Sequence, residues 1–378
     1  MKNIGIFTHD LYPYKPWGQG RYVYELAKNL RRVYEGKIFV FSPSPGIDDP
    51  YHVEVFGGSH ASAGKNIGFS IKLGFVLENL IRKYDLGLVH YQGGPGGLFL
   101  IKKPSIPVIY TVHHTYYQQS AHIENQRWKK LLFLWEMFSY RKSDFLICVS
   151  PSTKRVLGRR YKLKEGLRVI PNGVDGTRFF DMNLPRIPNS LFFMGRLETR
   201  KGIDFLLKCM PVVKNGCRDV RLYVAGSGCL KRELEEMTEH FGLHENVRFL
   251  GVIDDRDVNE WYNKVSVVVI PSVFEGFGLN AIEAMSCGTP VIATDVDGLR
   301  DVVEDGVSGR LVPYNDVEGL RGCVLDLLRN DLERQQLAEN GKNRVKALYD
   351  WQNISRQVAK IYQIVIGGSG ETVRFHCF

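Results

Sequence analysis

The sequence predicts an α/β protein of two doubly wound, Rossmann-like domains facing a cleft. Three observations predict it. Short β-branched and aromatic runs alternate with helix-length amphipathic stretches along the whole chain, the pattern of parallel sheets covered on both faces. The alternation occurs twice, with a seam near LKEGLRVIPNGVDGTRFF. The 378 residues, 44% hydrophobic and 24% charged, suffice for two cores of ordinary size.

In the first half, NIGIFTH, KIFVFS, HVEVF, LGLVHY, PVIYTVH and FLICVS read as strands. GRYVYELAKNLRR and SIKLGFVLENLIRKY read as helices between them. In the second half the strands are SLFFMGR, VRLYVAG, VRFLG, VSVVVIPS and PVIATD, and the helices include IDFLLKCMPVVKN and CLKRELEEMTEHFG. Two long helical stretches follow, about 316–348 and 351–366. The expected domains are therefore 1–165 and 170–348, with the helix at 351–366 packing back on the first. Residues 367–378 have linker composition and are set aside as an appended remnant.

No apolar run approaches the roughly 20 residues that span a bilayer, and MKNIGIFTHD enters a strand without a signal-peptide pattern. The seven cysteines show no CxxC and no zinc spacing, so they read as reduced core thiols of a cytoplasmic protein. Charge is uneven. Residues 1–165 carry 24 Lys and Arg against 12 Asp and Glu, whereas the remainder carries 26 against 29. A basic half joined to a slightly acidic one points to an anionic partner for the first half, or to a solvated basic surface.

Ligands of doubly wound sheets sit outside the carboxyl ends of the strands, so strand-end motifs matter most. PSVFEGFGLNAIEAMSCGTP follows the buried run VSVVVI. It sets Glu275 before two glycines and Glu283 in the expected first turn of the next helix. The amides of Phe277, Gly278 and Leu279 then stand at a helix N-terminus, where unpaired N–H groups and the helix dipole favour a phosphate. Glu283 is placed to accept from a ribose diol and Glu275 to meet a sugar. A helix cap alone explains Glu283 but neither the glycines nor the second glutamate. In SLFFMGRLETRKG a strand ends at Met194, and Arg196 and Lys201 follow, two cations able to neutralise a pyrophosphate.

WGQGRYV places Gly18 and Gly20 between the first strand and first helix, another anion-ready helix start that lacks the third glycine of the dinucleotide fingerprint. AGSGCLK fails the same test and reads as a tight turn. PVIYTVHH ends a strand with His113 and His114, where an imidazole could bond a sugar hydroxyl or move a proton. Two patterns are set aside. GGSHASAGKN has the wrong glycine spacing for a P-loop, and Asp295 and Asp297 of DVDG read as turn residues rather than metal ligands.

FEGFGLNAIEAMSCGTPVIAT resembles the E-x7-E signature of retaining glycosyltransferases of family 4, which have the GT-B fold. GRLETRKG, VIPNGVD, VAGSG, DGLRDVVEDGVSGRLV (with Gly298 and Gly309), WGQGRYV and TVHH are similar to further family elements, so the resemblance covers nearly the whole chain. It implies a C-terminal donor domain. There Glu283 binds the ribose of a nucleoside diphosphate sugar, Arg196 and Lys201 hold the diphosphate, and Glu275 with the following amides holds the sugar. It also implies an N-terminal acceptor-side domain, with His113 beside the transferred sugar and Gly20 in the loop under it. The implied reaction retains anomeric configuration and uses a UDP- or GDP-sugar as substrate, with no cofactor and no required metal. Trp17-Gly18-Gln19-Gly20 departs from the commoner paired glycines, as do Asp301 from a usual glutamate and Asn280 after FGL.

A nucleotide-sugar epimerase of related fold would need no acceptor, and the E-x7-E pattern argues against it. A nucleic-acid-binding protein would use the basic half, but no binding motif supports that and no nucleic-acid partner is expected. The acceptor expected is a saccharide or a lipid-linked, anionic one, met at the inner face of a membrane. ENQRWKKLLFLWEMFSYRK mixes Arg127, Lys129, Lys130, Arg141 and Lys142 with apolar residues. Its Trp128, Leu131, Leu132, Trp135 and Phe138 fit one stripe buried against the sheet.

Overall fold

The computed structural model describes residues 1–13, 18–44, 47–56, 63–95, 97–122, 130–163 and 165–367. Trp17, Arg127, Trp128, Lys129, most of GGSHASAGKN and nearly all of the tail lie outside the described residues. The chain forms two compact units. The first comprises Met1–Gly173 and the chain from Trp351 on; the second is Val174–Asp350.

In the first unit the chain order is β1 (Asn3–Phe7), α1 (Gly18–Val33), β2 (Ile38–Ser42), β3 (His52–Glu54), α2 (Ala63–Lys83), β4 (Leu86–Gly93) and β5 (Val108–Val112). Then come α3 (Tyr116–His122), α4 (Phe133–Lys142), β6 (Phe145–Cys148), α5 (Pro151–Arg160) and β7 (Leu167–Val169). The seven strands pair in parallel in the order β3-β2-β1-β4-β5-β6-β7, so the order reverses between β1 and β4. The strands β1, β4, β5 and β6 are almost entirely buried, as their apolar runs require when helices cover both faces.

The second unit runs β8 (Ser190–Met194), a 3₁₀ turn at Thr199–Lys201, α6 (Ile203–Gly216), β9 (Arg221–Ala225), α7 (Lys231–His240), β10 (Val247–Gly251), α8 (Val258–Lys264) and β11 (Val267–Ile270). It continues with α9 (Leu279–Ser286), β12 (Val291–Thr294), α10 (Leu299–Val302), β13 (Arg310–Val312), α11 (Val317–Arg329) and α12 (Asp331–Leu348). Its six parallel strands lie in the order β10-β9-β8-β11-β12-β13, reversing between β8 and β11.

The first unit extends past the expected 165 because β7 adds to β6 through Leu146–Leu167 and Cys148–Val169 pairing. The junction falls at Gly173. A Cβ there would stand 2.6 Å from the Trp351 indole, so the glycine lets bare backbone lie against that ring. Trp351 opens α13 (Trp351–Ile366), whose Ile354, Val358, Ile361 and Tyr362 complete the core between α1 and the sheet. The long stretch at 316–348 is two helices rather than one. Asn330 ends α11 and caps α12, its side chain accepting from the Glu333 amide.

Three cysteines, Cys148, Cys209 and Cys287, are buried as expected of core thiols, but Cys217 and Cys323 are half-buried and Cys229 is exposed. Among the described residues no helix is long and apolar enough to cross a membrane.

The stretch before β6 departs most from expectation. A 3₁₀ turn at 130–132 precedes α4. Leu132, Glu136, Ser139 and Tyr140 turn inward, while Leu131, Leu134, Trp135 and Phe138 are 77%, 62%, 49% and 47% exposed. Glu136 accepts from the Tyr161 hydroxyl, from the Tyr116 amide at 3.0 Å and from the Tyr140 hydroxyl at 3.0 Å. Burial pushes its carboxyl up to about 8 against the pull of those bonds.

The folded chain therefore holds a proton that the unfolded chain releases near the ordinary glutamate value. The stability Glu136 contributes is fully present below about pH 4.5 and lost by about pH 8. Glu136→Gln should flatten this part of the urea-midpoint profile. Parallel profiles for the two proteins across that window would refute the assignment.

Candidate active site

In the second unit, the loops that follow β8 and β11 flank the point where strand order reverses. Each carries one of the expected motifs. The β8 loop turns at Thr199–Lys201 and leaves through Gly202, whose φ of 63° is left-handed. A Cβ on Gly202 would lie 1.9 Å from the Pro271 carbonyl oxygen, so only glycine lets the turn dock on the end of β11. The Val273 amide donates to the Arg200 carbonyl at 2.9 Å and sews the loops together.

That docking brings Lys201 onto Glu275 in a direct ion pair. Arg200 lies 3.3 Å from the other carboxylate oxygen, and the Ser272 hydroxyl donates to Glu275 at 3.1 Å. Burial pushes the Glu275 carboxyl up, but Lys201 and Arg200 together outweigh it and hold the group at about 2. Arg196 lies at the end of β8, its side chain 47% exposed and 3.0 Å from Glu198, which also meets Arg200 at 3.2 Å. Three cations thus share two carboxylates. Sequence reading took Arg196 and Lys201 and passed over Arg200, which has no mark beyond its place in TRKG.

Gly278 has φ 102° and caps α9 without a side chain, leaving the Leu279 end of the helix to backbone amides. From behind, Gly298 packs on this loop. A Cβ there would lie 2.6 Å from the Glu275 carbonyl and 2.8 Å from the Phe277 nitrogen. Asn280 donates to the Met194 carbonyl at 2.6 Å, tying the start of α9 to the end of β8. Glu283 is not in the first turn of α9, because the helix starts at Leu279 and places it one turn in. Glu283 is 8% exposed, and its carboxylate accepts from the buried Tyr262 hydroxyl at 3.1 Å. Tyr262, on α8, carries no local sequence signal for this contact. AGSG is less a turn than a close approach: Cβ atoms on Gly226 and Gly228 would lie 1.8 Å from Gly195 O and 2.3 Å from Leu197 O. Arg300 engages Asp295 at 2.6 Å and lies 3.8 Å from Asp297.

In the first unit, His113 follows β5 directly and is 9% exposed. Its Nε2–H donates to Gln92 Oε1 at 3.0 Å, and its ring stands edge-on to Tyr22 at 4.8 Å. Burial pulls its pKa down to about 3, so the ring is neutral at physiological pH. Gly94 and His114 mark a close approach of the β4 and β5 loops, since a Cβ on Gly94 would lie 2.3 Å from the His114 carbonyl. Gly18 and Gly20 lie inside α1, in its first turn, and not in the loop before it.

Residues 177–344 match the family model described as Glycosyl transferases group 1, and residues 17–178 the one described as Glycosyltransferase Family 4. An uncharacterized glycosyltransferase of Methanocaldococcus jannaschii is 30% identical over 308 residues, 80% of this chain and 83% of that protein. A phosphatidyl-myo-inositol mannosyltransferase of Mycobacterium leprae is 36% identical over 202 residues, 52% of this chain and 53% of that one. A sucrose-phosphate synthase structure from Thermosynechococcus elongatus matches with a TM-score of 0.85 at 24% identity, covering 98% of this chain and 100% of that chain. The two sheets and their helices are those of the GT-B architecture. The chain belongs to glycosyltransferase family 4.

The glycines test this loop geometry. Gly202→Ala should lower stability by about 1–3 kcal/mol, through the Pro271 clash and left-handed strain. Gly322→Ala, in α11 with open space around it, should raise stability by about 0.4–1 kcal/mol. Urea melts of both variants check the contrast, and equal effects would reject it.

Proposed function

We propose that the chain transfers a sugar from a nucleoside diphosphate sugar to an acceptor hydroxyl, with retention of anomeric configuration and no required metal. The observation that carries the reading is the pair of loops between β8 and β11. They combine a glycine-capped helix start, three cations and a carboxylate fixed in its charged form. The amides of Phe277, Gly278 and Leu279, leading into α9, suit the diphosphate, and Arg196 with Lys201 neutralises the charge that grows on it as the glycosyl C1–O bond breaks.

Glu283 takes the ribose hydroxyls. Glu275, charged at any pH above about 2, accepts from hydroxyls of the sugar and is no proton donor. The acceptor oxygen bonds to C1 on the face the diphosphate leaves, and its proton passes to the departing phosphate oxygen. His113 is neutral and serves as a hydrogen-bonding partner of the transferred sugar in the first unit, where Gly18 and Gly20 open the neighbouring helix. The phosphatidyl-myo-inositol mannosyltransferase relative supports a lipid-linked, anionic acceptor.

Thermal shift against UDP, GDP, ADP and their sugars identifies the base, and no shift with any of them would sink the proposal. Glu283→Gln and Arg196→Ala should each cut turnover about 10²-fold or more at saturating donor while the fold still melts cooperatively. Unchanged turnover in either rejects its role. Chelation with EDTA should leave single-turnover transfer intact, and loss restored by manganese would reverse the metal assignment.

The pH profile supplies an independent check. With Glu275 at about 2 and His113 at about 3, kcat should show no inflection from either group between pH 5 and 8. A rising limb near the ordinary histidine value that vanishes in His113→Ala would contradict a neutral His113.

A further inference from the structure

The first unit exposes apolar side chains that its fold does not use. On α4 and the turn before it, Leu131, Leu134, Trp135 and Phe138 recur at helical spacing and are about half to three-quarters exposed. On α2, Phe75 is 82% and Ile71 40% exposed. The two helices border one strip of chain. Ser70 of α2 accepts from the Phe99 amide at 3.0 Å, and Ser139 of α4 from the Leu100 amide at 2.9 Å. The Phe99 ring meets Trp135 at 6.3 Å, and Gly74 backs directly onto Ile101. Exposed apolar residues on two helices that border the same strip mark a surface that meets something.

Cations stand around it. Lys72, Lys102, Lys130 and Arg141 are exposed, and the Lys142 ammonium sits 4.0 Å over the Phe138 ring. Among the described side chains of residues 67–144, eight are Lys or Arg and four are Asp or Glu. Of those acids, Glu136 is buried, Asp144 holds Lys103 and Glu78 holds Ser105.

We infer that this α2–α4 face docks on an anionic lipid surface. Phe75, Leu134, Trp135 and Phe138 enter the headgroup boundary, and the lysines meet lipid phosphates. Aromatic and leucine side chains rimmed by long cations are the composition that lies in a bilayer interface. Each cation near a negative leaflet adds attraction that salt screens. A second copy of the chain fits worse, because a two-fold contact through this face would oppose the same cations.

Flotation of the full chain tests this, with phosphatidylcholine vesicles and with vesicles of phosphatidylcholine and phosphatidylglycerol, at low and physiological salt. The expected result is at least tenfold stronger partition to the anionic vesicles, weakened by salt. Leu134→Ser/Phe138→Ser, and separately Phe75→Ser, should each lower that partition at least tenfold with unchanged thermal melting. Should the double variant melt early, Phe75→Ser on the other helix decides the question. No flotation with anionic vesicles at either salt overturns the inference, as does equal flotation of the variants. Self-association that the same substitutions abolish, with vesicles ignored, assigns the face to a second copy and also overturns it. The measurement needs neither donor nor acceptor, so its failure is distinct from failure of the glycosyl-transfer reading.

Discussion

The ion pair between Lys201 and Glu275 is the constraint on which the strand-end loops of the second unit depend. It joins two loops whose paired residues lie 74 apart in the chain, with the two side chains only 16% and 12% exposed. A buried charge whose partner is lost is worse than no charge, and a pair with one member removed is strongly destabilised. Arg200 and Ser272 complete the shell of the carboxylate, so the group keeps its charge without water. The glycines at 202 and 298 let bare backbone come close enough for that geometry. At these two positions glycine is required by a close approach of backbone carbonyls, which sets the carboxylate against its cations.

Much of this was legible in the sequence. The alternation of strand and helix gave the two sheets, because buried parallel strands are continuous apolar runs and eleven of them are four residues or longer or stand out by composition. β7 and β13 were not read. LRV and RLV are three residues each, too short for any pattern, and the missing β7 is why the expected boundary stopped early. The E-x7-E stretch and the cations after β8 were legible because strand-end position gives them meaning. Arg200, Tyr262 and Gln92 were not, since their roles come from partners far along the chain.

The helix at 133–142 shows a different limit. Its apolar residues recur at helical spacing, which normally marks a buried stripe. Here the stripe faces outward, and the opposite face buries a glutamate among tyrosines. Periodicity reports which residues share a face; it does not report which face meets the core. The first unit buries other polar groups in the same manner. His90 lies between the Tyr362 hydroxyl at 2.6 Å and the Thr111 hydroxyl at 2.8 Å, and Thr111 in turn lies 3.3 Å from Tyr22. This chain ends at the ring that borders His113, so the setting of that imidazole reaches back to the last helix.

That last helix also orders assembly in time. Residues 174–350 are one uninterrupted stretch with their own core, complete once Asp350 has been made. The first unit is begun earlier but lacks a wall until Trp351, Ile354, Val358, Ile361 and Tyr362 have been made. Until then α1 presents an open apolar groove and His90 has no tyrosine to meet. Synthesis from the N-terminus thus supplies the whole of the second unit's chain before the first unit receives its last core residues.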